Sequence, residues 1–174
     1  GDGDARTSDA VFVVHAEDAL PTLRAGDRVR VHGVVVEDTA DNRSGTMTTL
    51  RPERIEVIGR GEIARQQLKA APQDWEALEG MWVQIDAPLT LSGMDARFGE
   101  TTASFDGRLW TPTEIAIPGS SDIRQIEADN ARRRLVLDDA SNRRDPERTW
   151  YLPAGTPRSG SIATGAKGIV DQRH

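Results

Sequence analysis

Leu23-Arg-Ala-Gly-Asp-Arg-Val-Arg-Val-His-Gly-Val-Val-Val-Glu37 is the stretch on which the fold turns. Gly26-Asp27 signals a turn, and the residues after it alternate. Val29, Val31, Gly33 and Val35 fall on one face, and Arg28, Arg30 and His32 on the other, which is the pattern of a half-buried β-strand. Gly33 interrupts the apolar face and suggests a bulge or a barrel corner where the strand bends. A fainter echo lies at Arg158-Ser-Gly160 with Gly168-Ile-Val170, where the two glycines stand one residue further apart than Gly26 and Gly33. Two copies of one strand type predict two small barrels.

Working outward toward the N-terminus, Val11 to His15 reads as a strand and Glu17 to Ala25 as a loop. Toward the C-terminus, Asp38 to Gly45 reads as a polar hairpin connection, with Thr46 to Leu50 and Ile55 to Ile58 forming the returning strand. These three candidates are too few to close a barrel of about five strands, so the first module, residues 1–60, is expected to be partial. Glu62 to Ala71 has strong helix formers around Ile63 and Gln67 and stops at Pro72, and Asp74 can cap a further turn to Leu78. Residues 61–78 are therefore predicted to be a helical linker.

From Glu79 the period returns to two, which makes residues 79–174 the second module. Met81, Val83 and Ile85 line one face and Trp82, Gln84 and Asp86 the other. Leu89 and Leu91 continue the strand past Pro88, a residue that belongs at an edge or a bulge. Gly99–Phe105, Leu109–Ile117, Arg132–Leu137 and Ile162–Val170 are the remaining strand candidates. Pro118 to Ala131 reads as a polar connection that could include a helical turn. One strand is missing from this module too.

Composition agrees with a mainly β chain: 16 Gly and 9 Pro punctuate it, and Val, Ile and Leu far outnumber the three Phe and one Tyr. The chain has no cysteine, which excludes disulfides, zinc-thiolate sites and cysteine nucleophiles. No apolar run approaches the roughly 20 residues of a transmembrane helix, so no membrane partner is expected. Gly1-Asp-Gly-Asp4 is neither a signal peptide nor a native start, and reads as the beginning of a segment of a longer chain. The net charge of -6 argues against a general nucleic-acid coat. Its distribution is uneven, because residues 122–174 carry ten basic against eight acidic groups.

Catalytic and metal patterns are weak. Asp2, Asp4 and Asp9 do not fit a calcium loop, since Arg6, Thr7 and Val13 stand where a ligand, a glycine and a bidentate Glu belong. Asp138-Asp139 could hold a divalent cation but sits among arginines, as a salt-bridged turn would. A histidine-based hydrolase would have to join His15 and His32, with His174 terminal. No catalytic residue, metal ligand or cofactor is assigned to this segment. The stronger signal is basic and aromatic: Arg132, Arg133, Arg134, Arg143, Arg144 and Arg148 crowd a short span, and Arg108, Trp110 and an outward Trp82 could share a sheet. Small β-barrels bind single strands in this way, with arginines along phosphates and rings under bases. Trp82, Arg108, Trp110, Arg132, Arg133, Arg134, Arg143 and Arg144 are the candidate nucleic-acid contacts. The same span holds Asp138, Asp139, Asp145 and Glu147, so an internally paired face is the competing reading, with Trp82 and Trp110 covering a seam between modules.

Asp2-Gly-Asp4, Thr7-Ser8, Val11-Phe-Val-Val14 and Gly26-Asp27-Arg-Val-Arg-Val-His-Gly33 together resemble the OB-fold-like module of sugar-non-specific bacterial extracellular nucleases. Glu79-Gly-Met81, Phe98-Gly-Glu100, Gly107-Arg-Leu109, Pro112-Thr113, Leu137-Asp-Asp139 and Gly168-Ile-Val-Asp-Gln-Arg173 resemble the segment that follows in the same secreted endonucleases. The resemblance implies two OB-like modules forming an accessory region that binds or orients DNA or RNA, upstream of a DNase I-like catalytic domain. It implies a secreted parent whose divalent metal sits in that catalytic domain. It also implies two strands before Gly1 and one after His174. The family's catalytic and metal-binding residues match no position here, so none is carried over. The alternative expectation is a structural module that packs on the catalytic domain, or spaces it, without touching nucleic acid.

Overall fold

The computed structural model of the chain describes residues 4, 6–14, 22–38, 47–95, 97–141, 143–147, 149–152 and 157–171. His15, Arg148 and His174 lie outside them. In chain order the elements are β1 (Phe12–Val13), β2 (Asp27–Asp38), β3 (Met47–Arg60), β4 (Gln66–Leu68), β5 (Trp82–Ile85), β6 (Leu89–Asp95), β7 (Glu100–Ser104), α1 (Pro112–Ile115), α2 (Ser121–Arg133), β8 (Arg134–Leu137), β9 (Ile162–Ala163) and β10 (Lys167–Ile169). The protein is mainly β, as its composition and patterning predict. The described strands form three sheets and no closed barrel. Two compact units interleave along the chain, one of residues 1–66, 74–84 and 167–174, the other of residues 67–73 and 85–166.

In the first unit, the sheet order β1-β3-β2 places the opening stretch at an edge. β2 runs antiparallel to β3 along its whole length, and β1 lies parallel to β3. Arg28 and Val29 face Gly59 and Val57, and His32 and Gly33 face Arg54 and Pro52. Each register shift therefore adds a residue to β3, Ile58 in one case and Glu53 in the other, and leaves β2 continuous. The bend expected at Gly33 is thus produced by the strand opposite. Gly33 is needed for a different reason: a Cβ there would stand 2.2 Å from the Arg51 carbonyl oxygen. The alternation of β2 survives, but its burial does not. Val35 is 64 % exposed and Val34 55 %, so the strand is not half-buried among the described residues.

Also in this unit, β5 pairs antiparallel with β10, with Trp82 opposite Ile169 and Gln84 opposite Lys167. Val83 is buried and Trp82 half-buried, the alternation read from the sequence. The turn expected after Asp74 is present as a 3₁₀ turn over Glu76–Leu78, and the Glu76 N–H donates to Asp74 Oδ1 at 3.0 Å. The helix expected over Glu62–Ala71 is absent. Ile63 is 44 % exposed, only Leu68 and Ala71 of that segment are buried, and Gln66–Leu68 runs as β4 instead. From Gln67 the chain belongs to the second unit, where the Leu68 carbonyl accepts from the Asp86 N–H at 2.9 Å, a tertiary bond that overrides helix propensity.

The second unit is built on an antiparallel sheet of order β8-β7-β6-β9. Ile85, Leu89, Leu91, Ala103 and Phe105 are buried and form its core, where a fully buried Leu or Phe contributes about 1.5–3 kcal/mol. The strand expected to continue past Pro88 is broken there: Pro88 lies between β5 and β6, which belong to different sheets. The bulge in β6 is at Ser92, the extra residue between Leu91 opposite Ala103 and Gly93 opposite Thr102.

Three further expectations are corrected in this unit. Leu109–Ile117 is not a strand: Thr111 caps the short α1 in a capping box with Glu114, and Pro112 stands in its first turn. Pro118–Ala131 is not a loop but holds most of α2, whose Ile123, Ile126, Asn130 and Arg133 face inward at helical spacing. Ile162–Val170 is split, with Ile162 opposite Thr90 in one sheet and Ile169 opposite Trp82 in another. Gly165, at φ +72°, lies between the two pieces in a conformation that L side chains avoid.

The echo of the opening stretch is real at the level of its turn. Gly26 and Gly160 adopt φ of +88° and +87°. In both turns the fourth residue's N–H returns to the first residue's carbonyl, Asp27 to Arg24 at 2.9 Å and Ser161 to Arg158 at 2.9 Å. The first residue's N–H in turn donates to the fourth side chain, at 2.8 Å and 3.2 Å.

Candidate nucleic-acid interface

The turn after β7 organises one side of the second unit. Asp106 and Gly107 take positive φ, and Ser104 Oγ donates to the Gly107 carbonyl at 2.7 Å. Arg133, at the end of α2 and only 9 % exposed, closes the turn from behind. Its Nη1 donates to the Phe105 and Asp106 carbonyls at 3.0 and 3.1 Å, and its Nε donates to Asp129 Oδ2 at 2.7 Å. Arg132 donates to the other Asp129 oxygen at 2.8 Å. The Arg132 bond, helped by Arg133, holds the Asp129 carboxyl below its ordinary pKa against a smaller opposing effect of burial.

This engagement decides what the neighbouring cleft can do. The cleft, about 230 Å³, is lined by Trp110, Ile115, Asp122, Gln125, Ile126 and Asp129, with Arg133 at its base. Two carboxylates face it, and Arg133, the one arginine in its lining, is bound to one of them. It is not an anion site. At its rim Arg108 stacks 3.5 Å from the centre of the Trp110 ring, and its Nη2 lies 3.7 Å from Glu114 Oε2. Asn130 Nδ2 fixes the Trp110 backbone by donating to its carbonyl at 2.8 Å. Trp110 is 40 % exposed, so the stacked pair is open on one side.

The loop after β8 has a different balance. Asp138 and Asp139 accept from the Ala140 and Ser141 N–H groups at 3.2 and 2.9 Å, so these acids cap backbone turns, and among the described residues they form no ion pair with an arginine. Among the described residues no three His, Asp or Glu side chains gather as a metal site. Arg143 and Arg144 are exposed, and among the described residues neither guanidinium has a carboxylate within ion-pair distance. The same holds for Arg134 at the start of β8. Arg144 lies 5.7 Å from the centre of the Phe98 ring.

The chain then reaches Trp150-Tyr151, and sequence reasoning passed over this pair. The Tyr151 hydroxyl lies 2.6 Å from the Gly99 carbonyl, 2.8 Å from the Leu137 carbonyl and 3.1 Å from Thr101 Oγ1. Burial pushes its pKa up, partly offset by the Thr101 hydrogen bond. With Tyr151 drawn inward, Trp150 is left 71 % exposed, its ring edge-on to Tyr151 at 5.9 Å.

The remaining candidates stand in the first unit. Trp82 is half-buried, and the Arg65 guanidinium lies 4.5 Å from its ring centre. Arg28, Arg30 and His32 are exposed on β2, where Arg28 faces Gly59 and Arg30 and His32 face the ion-paired Glu56 and Arg54. The eight candidate contacts thus resolve into the Arg108–Trp110 stack, the Asp129-bound Arg132 and Arg133, the open Arg134, Arg143 and Arg144, and Trp82 in the other unit.

Among the described residues, no helix is long and apolar enough to cross a membrane. Comparison with family models, characterised proteins and solved structures finds no match to this chain. The functional reading therefore rests on the residues themselves.

Proposed function

We propose that this chain is a non-catalytic nucleic-acid-binding or substrate-orienting region of a secreted nuclease. In this reading its two modules are OB-like and joined through residues 61–78. The modules present DNA or RNA to a DNase I-like catalytic domain further along the same protein, which holds the divalent metal. The observation that carries the binding claim is that Arg134, Arg143 and Arg144 are exposed and have no carboxylate partner among the described residues. Guanidiniums without carboxylate partners are free to neutralise phosphates and release counterions. The open Arg108–Trp110 stack adds a ring of the kind that supports bases. The nuclease context comes from the sequence resemblance.

Titration of the chain with labelled single- and double-stranded DNA at several salt concentrations tests the reading. Affinity is expected to fall linearly on a log-log plot against salt, and the triple variant R134E/R143E/R144E to flatten the slope. Absence of binding even at low salt overturns the proposal.

A second reading is favoured by one observation, the apolar exposure of the β2–β3 ribbon. Val34, Val35, Val57 and Ile58 are each 48–64 % exposed, which suits a module that packs on another domain. Nuclease activity of the parent protein, measured with and without this region on short and long substrates, separates the two. A loss confined to long substrates favours substrate orientation; an equal loss on both favours packing.

A further inference from the structure

We infer that Trp150 and Phe98, with the guanidiniums of Arg97, Arg143 and Arg144, form a subsite for unpaired nucleic-acid bases. The inference rests on the nucleic-acid reading above and narrows its substrate to single strands.

Two loops build the patch. The segment Arg97–Gly99 leads into β7, and residues 143–147 and 149–151 follow β8. They are joined at three points. The Asp145 N–H donates to the Arg97 carbonyl at 2.8 Å. The Tyr151 hydroxyl meets the Gly99 carbonyl at 2.6 Å. Gly99 itself, at φ +74°, is packed so closely that a Cβ would meet Thr149 Oγ1 at 3.2 Å and Pro146 Cγ at 3.4 Å. The patch is thus held in place by one backbone bond, the Tyr151 hydroxyl and close packing.

The chemistry on this frame is specific. Trp150 is the most exposed tryptophan among the described residues, at 71 %, and its ring stands perpendicular to Tyr151. Phe98 is half-buried with Arg144 at its ring. Arg97, Arg143 and Arg144 are exposed, and among the described residues none has a carboxylate within ion-pair distance. Exposed rings and guanidiniums carried on the same two bonded loops match a ligand of alternating planar bases and phosphates. A duplex keeps its bases stacked on one another and offers the rings nothing, whereas a single strand presents a π-face at every nucleotide.

The test measures binding of an oligothymidylate and of a DNA duplex of equal length by fluorescence anisotropy at one low salt concentration. The variants are Trp150→Ala, Trp150→Phe and the pair Arg143→Glu/Arg144→Glu. Trp150→Ala is expected to weaken single-strand binding about tenfold or more, because a base stack is worth roughly 1 to 3 kcal/mol. It should leave duplex binding and the salt slope unchanged. Trp150→Phe should recover most of the loss, and the arginine pair should weaken both ligands and flatten the slope. Equal effects of Trp150→Ala on both ligands, or none on either, overturn the subsite while leaving the nucleic-acid reading intact. Failure of the unaltered chain to bind either DNA overturns both.

Discussion

Arg133 and Phe105 are bonded to each other in both directions. The Phe105 N–H donates to the Arg133 carbonyl at 3.1 Å, and Arg133 Nη1 donates to the Phe105 carbonyl at 3.0 Å. The first bond is part of how β8 begins beside β7; the second carries a charge into a nearly closed space beneath the Asp106–Gly107 turn. A buried arginine of this kind is a framework group, although it lies in the middle of the most basic run of the chain.

Removing it should be felt as stability. Arg133→Ala leaves two carbonyls and Asp129 short of donors and should cost about 2–4 kcal/mol, read as a lowered urea midpoint. Arg132→Ala removes a more exposed i,i+3 ion pair and should cost less than about 1 kcal/mol. Equal losses in the two variants would show that the carbonyl bonds of Arg133 contribute little.

The contrast between these two neighbours shows what the sequence could and could not disclose. The density of arginines was legible, but their commitments depend on Asp129 standing three and four residues before Arg132 and Arg133 on a helix. Ser121–Arg133 reads as a polar connection because its buried stripe holds only two isoleucines, with Asn130 and Arg133 completing it. Once the helix is known, the ion pairs follow from spacing alone. Strands with strict alternation, such as Val83 and Ile85 in β5, were readable because burial there is decided by period. Glu62–Ala71 was misread because propensity favoured a helix while a backbone bond from Asp86 favoured extension. Trp150 gave no signal, since its exposure follows from what the Tyr151 hydroxyl reaches some 50 residues away in sequence.

Glu79 in the first unit makes stability depend on pH. It is 8 % exposed, and its Oε1 has no hydrogen-bond partner among the described residues. Burial is the main cause that raises its pKa, with Glu76, Asp171 and Glu37 adding repulsion. A raised folded-state pKa means that its favourable contribution is complete below the ordinary carboxyl value and is lost as pH rises through the raised one. Glu79→Gln should therefore be more stable than the parent near neutrality, and the gap should close as pH falls from about 7 toward 4. Asp129 acts in the opposite sense, since its lowered pKa makes its contribution disappear on acidification, but it is common to both proteins and cancels in the difference. Urea midpoints of the two proteins across that range provide the measurement, and a constant gap would refute the assignment.

Gly33 and Pro52 face one another across the β2–β3 ribbon, at the point where β3 takes up its extra Glu53. Proline contributes no N–H to the ladder, so the strands are held there by proximity more than by bonding. A Cβ on residue 33 would lie 2.2 Å from the Arg51 carbonyl oxygen and 2.8 Å from the Pro52 Cα, and both obstacles are backbone. Neither can rotate away as a side chain can. Gly33→Ala must therefore spread the strands or shift the bulge, at a cost of about 1–3 kcal/mol by analogy with overpacked interiors. Gly93 in β6 is the control, since a Cβ there meets nothing within 4 Å and its φ is not positive. Gly93→Ala should be close to neutral in thermal unfolding, and Gly33→Ala should lower the midpoint clearly. If the two behave alike, the close approach at Gly33 is relieved in solution, and the bulge at Glu53 owes nothing to the missing side chain.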